Sequence, residues 1–487
     1  MIMPPALPGI FPTSLSRPVM APQIPVPSPP LLSGNPDSFQ YVTSRPAGIV
    51  AGAFVRPALS SVGAFMADVL ADGTIVRSGL MGKEKLGAID LQGNYQLLNG
   101  LSGNVFERKA VEVLGLEQNQ HPFALALKAV EKQRAIKGSE IPLIRAQLTA
   151  KGINGQGIKM GILDPWKKKG EKWEFGNHAW MVKQTIQDPL WGVAPGTIVE
   201  DLGGRLENGT LLADNVQALR NYVTGDYVNL FSYISQKLQT LTQQRDPALR
   251  VLNLTHGSNR VMNYADLAKL LNAQDESKNF KFPNLRAIVF GPTLYGSKEE
   301  QWQAVINCYD AILDNSPVVH QAHRQYVEMT RQAAANGLIM VAGTSNDHGA
   351  LPVNAKVKPG CEMNILGKSP YVIRVGAVNT NQTPGNYRNY SVANYSSRGD
   401  GYWNPTIVAP GSEMGISFSK DADEDTVNGT SFSTPFTCGV IAMMLQRNPW
   451  MTFEQVKAKL ETTATPLPGY QPFEQGAGVL NAVKAAM

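Results

Sequence analysis

The strongest chemical signal in this chain is a serine at the start of an apolar helix. In VNGTSFSTPF (427–436), a Gly-Thr-Ser-x-Ser-x-Pro string leads into Phe436, Cys438, Val440, Ile441, Met443, Met444 and Leu445. Gly429 permits a close approach there, and Pro435 fits a first helical turn, where its missing N–H would be unpaired in any case. Ser431 then stands at a helix amino end. The unpaired N–H groups and positive dipole end favour an oxyanion forming beside its Oγ; the plain alternative is a capping serine. A serine hydroxyl becomes a nucleophile only with a base in hydrogen-bond reach and a partner that orients the base. The chain has six histidines, so candidates are few. His178, in FGNHAWMVKQTI, precedes a stretch with helical spacing and would sit at that helix's amino end. Asp164 closes the apolar run KMGILD, and a carboxylate there is costly unless hydrogen-bonded or useful. A surface or core histidine and a capping or turn aspartate are the plain alternatives for these two.

The segments that must position these residues read as α/β. Continuous apolar runs occur at KMGILD (159–164), TIVEDL (197–202), RVLNLT (250–255), RAIVFG (286–291), GLIMVAG (337–343) and YVIRVGAVN (371–379). Continuous rather than alternating runs mark parallel strands buried on both faces. Helical spacing lies between them, at 181–187, 215–222 and 328–336. This order predicts a mostly parallel sheet, with function at the carboxyl ends of its strands.

The motifs resemble the subtilisin-like (subtilase) serine peptidase family. GTSFSTP matches that family's nucleophile motif at Ser431; Asp164 after its strand and His178 with Val182 and Thr185 match the Asp and His segments, in the family's chain order. GVAP (192–195), NLTHGS (253–258), AGTSNDHG (342–349), VIRVGAVN (372–379), NYSSRGD (394–400), VAPG (408–411) and the closing stretches 448–464 and 476–486 extend the likeness over about 141–487. The resemblance implies a three-layer α/β domain with a mostly parallel central sheet. It also implies a serine endopeptidase acting on polypeptides. His178 would be the base for Ser431, Asp164 would orient it, and Asn346 with the Ser431 N–H would hold the oxyanion. Thr255, His256, Gly257 and Ser258 would form one cleft wall and 341–344 the other, pairing with an extended substrate. No cofactor is required. Family members often bind structural calcium, but no dependable ligand set stands out; Asp421, Asp423, Glu424 and Asp425 read as an acidic loop.

Several positions depart from the family pattern. Pro165-Trp166 follow the Asp where a small hydroxyl residue and Gly are usual. Ala179-Trp180-Met181 follow the His, where Gly-Thr-His is usual, and Ser345 precedes Asn346 in place of Gly. The two tryptophans would crowd the site. Lys167, Lys168, Lys169 and Lys172 form either a solvated loop or a bias toward acidic substrates. An insertion at about 258–330 is anchored on a cleft wall, where it could lid the site or dock a partner. A catalytically weak or inactive interaction module is the rival reading, and an esterase or transacylase using the same residues is another. A nucleotide-binding enzyme is disfavoured, because no Gly-rich phosphate loop follows the first strand.

Composition bounds the rest. The chain has 487 residues, 44 Lys plus Arg against 39 Asp plus Glu, and a net charge of +5. That excess is too thin for a nucleic-acid footprint. Three cysteines make no disulfide framework. Residues 1–46 hold 12 of the 33 prolines and read as an extended disordered leader, a docking ligand or a secretion address. No apolar stretch is long enough for a membrane span. The start lacks the pattern of a Sec signal peptide, so the expectation is an intracellular protein or one exported by another route. Residues 47–140 read as an accessory or prodomain-like segment, with turn signals at Asp72-Gly73 and Gly93-Asn94 and short helices at 109–113 and 123–132.

Overall fold

The computed structural model describes five strands between residues 67 and 104, together with residues 140–164, 178–188, 192–204, 206, 211, 213–244, 246–381, 383–414 and 427–487. The leader, the two short helices expected at 109–113 and 123–132, Pro165, Trp166, the lysine cluster and the acidic loop lie outside these residues.

The first described unit is an antiparallel sheet of β1 (Ala67–Val69), β2 (Thr74–Gly79), β3 (Gly82–Ile89), β4 (Asn94–Leu97) and β5 (Ser102–Asn104), joined in sequence order. Of the two turn signals, Asn94 opens β4, while Asp72-Gly73 and Gly93 lie outside the described residues.

From residue 140 onward helices and strands alternate: α1 (Ile141–Gln147), β6 (Lys159–Ile162), α2 (His178–Gln187), β7 (Ile198–Asp201), α3 (Val216–Gln244), β8 (Leu249–Leu254), then α4 (Arg260–Leu271), α5 (Pro283–Phe290), α6 (Lys298–Asp314) and α7 (Pro317–Ala335). There follow β9 (Ile339–Gly343), β10 (Val372–Asn379), β11 (Ser391–Val392), β12 (Ile407–Pro410), α8 (Thr430–Arg447), α9 (Phe453–Thr463), α10 (Pro472–Gln475) and α11 (Ala482–Ala486). The sheet order is β11-β10-β9-β8-β6-β7, with β12 also paired to β10. Every pair is parallel except β10 with β11. The chain steps from β6 to β7 on one side and then crosses to β8 on the other. The carboxyl ends of β6 and β8, where the connections leave in opposite directions, are therefore where an open parallel sheet of this kind places its functional residues.

Five of the six apolar runs form strands in this sheet. RAIVFG does not: 286–290 belong to helix α5. Pro283 opens that helix with its φ already set, and Leu285, Arg286, Val289 and Phe290 turn inward at helical spacing while Ile288 stays exposed. A short apolar run is consistent with either structure, and here the proline decides.

Helix α8 is buried on almost every side from Thr430 to Leu445. It packs across β8, β9, β10 and β12 and against α2. Two of its buried hydroxyls are satisfied within the helix: Thr434 Oγ1 donates to the Thr430 carbonyl at 2.7 Å and Thr437 Oγ1 to that of Ser433 at 2.9 Å. Pro435 is not in the first turn as the sequence suggests. The helix already starts at Thr430, so Pro435 is its sixth residue and takes the usual donor away from the Ser431 carbonyl. A second helical layer pairs α3 with α7, and α7 packs on β9. The insertion forms helices α4, α5 and α6 and most of α7, pinned where Arg260 pairs with Asp310 and Asp314 and Tyr264 donates to Asp310 at 2.7 Å.

Candidate active site

Three parallel strands deliver their carboxyl ends side by side. Ile162 of β6 is level with Asn253 of β8, and Leu254 is level with Ala342 of β9. Asp164, the segment starting at Thr255, and Asn346 therefore emerge along one edge. Helix α2 starts at that edge with His178 bonded to Asp164, and α8 starts there with Thr430 bonded to Asn346.

Asp164 is buried, at 5% exposure. Its Oδ2 accepts a short hydrogen bond from His178 Nδ1. Burial works to raise its carboxyl value, yet the charge and hydrogen bond of His178, and then the nearby His256, outweigh burial and hold it well below the usual carboxylate range. For His178 the balance is mirrored: burial works downward, but the Asp164 charge and hydrogen bond leave the imidazole above its ordinary value. The His178 side chain keeps 40% exposure and so stays open to solvent.

Asn346 is held by its oxygen. Its Oδ1 accepts from Thr430 N at 2.8 Å and Thr430 Oγ1 at 3.1 Å, which turns Nδ2 toward Gly429. A Cβ on Gly429 would stand 3.3 Å from Asn346 Nδ2 and 3.6 Å from Ser431 N. The two nitrogens thus flank one space beside Gly429, into which a Cβ at that position would project. Gly429 also carries a positive φ of 155° and is fixed by its own N–H, which donates to the Gly411 carbonyl at 2.8 Å and to Tyr395 Oη at 3.1 Å. Ser431, half-buried, is the second residue of α8. Among the described residues no hydrogen bond joins its hydroxyl to His178.

The loop before Asn346 explains one departure. Ser345 has φ of 96°, a left-handed backbone in which glycine is at home and serine is strained. Ser397 clamps the strained turn: its N–H donates to the Ser345 carbonyl at 3.0 Å and its Oγ accepts from Asp347 N at 3.0 Å.

The cleft walls are narrower than the sequence suggests. Val341 and Ala342 of β9 pair with β8 on one side and β10 on the other, so their backbone has no edge to offer a substrate, and Gly343 pairs with β10. Both backbone groups of Thr344 are taken, by Val375 and Asn364, and the Ser258 carbonyl accepts from Ile365 N at 2.9 Å. Ser258 Oγ is spent on Asn263. Thr255, His256 and Gly257 follow β8 at the same edge, with the Thr255 N–H donated to Asn253 Oδ1 at 3.1 Å. Gly257 is required, since a Cβ there would come within 2.1 Å of Asn364 Oδ1. His256 Nδ1 lies 3.3 Å from Asp164 Oδ1, a contact the sequence did not indicate. Trp180 packs partly buried against the core cluster. Among the described residues no group of three or more His, Cys, Asp or Glu could hold a metal ion.

The Subtilase family model matches residues 234–478, half of the chain. The chain belongs to the subtilase family, a family of serine peptidases. Asn346 and Ser431 fall inside the matched stretch, whereas Asp164 and His178 precede it and are placed by the geometry above. Among curated relatives, the serine protease AprX of Bacillus subtilis is 34% identical over 132 residues, 24% of this chain and 30% of that protein. Subtilisin E of the same organism is 31% identical over 155 residues, 32% of this chain and 35% of that protein. The chain thus spans about a third of the length of these two relatives. Among solved structures, MycP1 from Mycobacterium smegmatis covers 73% of this chain and 84% of its own, at 15% identity and a TM-score of 0.42.

Proposed function

We propose that this subtilase is a serine endopeptidase that cleaves polypeptides through an acyl-enzyme on Ser431. His178 Nε2 takes the Ser431 proton as Oγ attacks the scissile carbonyl carbon. The resulting oxyanion occupies the space over Gly429, between Asn346 Nδ2 and Ser431 N. Collapse breaks the C–N bond, and the imidazolium returns its proton to the leaving amine. Water then enters by the same route and releases the acid, restoring Ser431. Asp164 keeps the Nδ1 proton in place and stabilises the imidazolium; its low carboxyl value keeps it charged throughout. None of these steps calls on a metal or organic cofactor.

The observation that carries this reading is the buried Asp164 oxygen bonded to His178 Nδ1 at the edge where the two nitrogens flank the space beside Gly429. The missing His178–Ser431 hydrogen bond is compatible with it, because such contacts are often long in the free enzyme and tighten with substrate. That same gap favours the rival reading of an interaction module. Incubating the chain with casein, a peptide library and simple esters, with products read by mass spectrometry, separates the readings. Peptide cleavage that disappears in Ser431→Ala is expected. Ester cleavage alone points to a different hydrolase, and no turnover by folded protein points to the module.

A further inference from the structure

Asp164 is touched by two imidazoles, and the reaction above uses one. His178 Nδ1 occupies Oδ2, and His256 Nδ1 stands 3.3 Å from Oδ1. His256 is held there from both sides. Before it, Thr255 N donates to Asn253 Oδ1 at 3.1 Å, and Asn253 Nδ2 reaches Cys438 Sγ of α8 at 3.7 Å. After it, Gly257 is seated against the Asn364 side chain. The ring has 23% exposure, while Asp164 beneath it has 6%.

A carboxylate turns readily about its last torsion, which has broad minima. A single hydrogen bond to one oxygen fixes direction but not plane. A donor on the second oxygen removes that freedom and spares a buried acceptor from going unpaired. We propose that His256 is a positioning residue: in its Nδ1–H form it donates to Asp164 Oδ1 and locks the carboxylate plane so that Oδ2 faces His178. His256 then acts through Asp164 and need not touch substrate. Which ring nitrogen carries the proton is set by such a partner, so the proposal makes a definite tautomer assignment. The kinetic part rests on the peptidase reading above.

Two measurements test it. Long-range 15N NMR on full-length Ser431→Ala, which cannot digest itself, at pH 8 should find His256 as the Nδ1–H tautomer. In the otherwise wild-type chain, His256→Leu should lower kcat about tenfold, the scale of losing a hydrogen bond to a charged group, with KM within about twofold. His256→Asn places an N–H near the position of Nδ1 and should keep kcat within about threefold. An Nε2–H tautomer overturns the proposal. So does a raised KM at unchanged kcat, which would make His256 cleft wall, or an equal loss in folded Asn and Leu variants. If the Leu variant does not fold, the Asn variant and the tautomer still decide. A wild-type chain with no turnover overturns the peptidase reading instead, and the tautomer then settles the His256–Asp164 contact alone.

Discussion

Exchanging Asn346 for Asp separates holding from donating at the proposed oxyanion site. Asn346 Oδ1 accepts two bonds from Thr430, and an aspartate keeps an acceptor for both. The loop should stay where it is. What changes is the atom facing Gly429: an N–H donor becomes a negatively charged oxygen. Losing one such donor raises the barrier by ~3–4 kcal/mol, a magnitude established on a subtilisin, a member of this same family, and carried over rather than worked out for this chain. At ~1.4 kcal/mol per decade this lowers kcat by about 100-fold to 1000-fold. The like charge facing the oxyanion pushes toward the upper end. KM should change little, because the contact forms only as charge develops. Steady-state kinetics on a peptide that the wild type cleaves supply the numbers, with thermal unfolding as the control. Asn346→Ala, which also abandons Thr430, should lose the same activity and in addition unfold about 1–3 kcal/mol more easily. A folded Asn346→Asp variant with kcat within threefold of wild type would refute the assignment.

Other expectations follow from individual residues. Because Asp164 holds the His178 imidazole above its ordinary value, activity should be lost as pH falls through that raised value. Asp164→Asn should move the acid limb of kcat/KM downward and cut kcat by about 10⁴-fold; an unmoved limb contradicts the pairing. Glu140, at 1% exposure, accepts from Tyr390 Oη at 2.6 Å, and burial lifts its carboxyl from 4.5 to about 7 against the lowering effect of that bond. Its folded value lies above its unfolded one, so its stabilisation is complete below about pH 4.5 and fades as pH rises through about 7, a change of about 3 kcal/mol. Glu140→Gln should flatten the unfolding temperature between pH 5 and pH 8 relative to wild type, and parallel profiles would count against this. Ser345→Gly should relieve the positive φ and stabilise the chain by about 1 kcal/mol in urea unfolding, whereas a loss of stability would show the turn is unstrained.

What the sequence disclosed depended on how far each interaction reaches along the chain. β6, β8, β9 and β10 were legible because a strand buried on both faces writes a continuous apolar run. The run at 286–291 carries the same signature, and only Pro283 three residues earlier distinguishes it. Ser431 was legible because its neighbours Gly429 and Thr430 work locally, one by leaving space and the other by gripping Asn346. The departure at Ser345 was visible, but its meaning needed the backbone angle. His256 could be read only as part of a cleft-wall motif, since its contact with Asp164 crosses from one strand to the next over a separation of 92 residues. The rule that polar residues at adjacent carboxyl ends meet was the one signal that could have found it. Substrate pairing along 341–344 is closed off at Val341 and Ala342 for the complementary reason: β9 is flanked there on both sides, which only the strand order reveals.

The most direct test of the central claim is covalent. A fluorophosphonate reports a serine whose hydroxyl is activated beside an oxyanion pocket. Intact mass and peptide mapping of the labelled full-length chain should show one adduct, on Ser431. Labelling should vanish in Ser431→Ala and drop steeply in His178→Ala. Folded wild-type protein that takes up no probe, or carries it on another residue, would contradict the account.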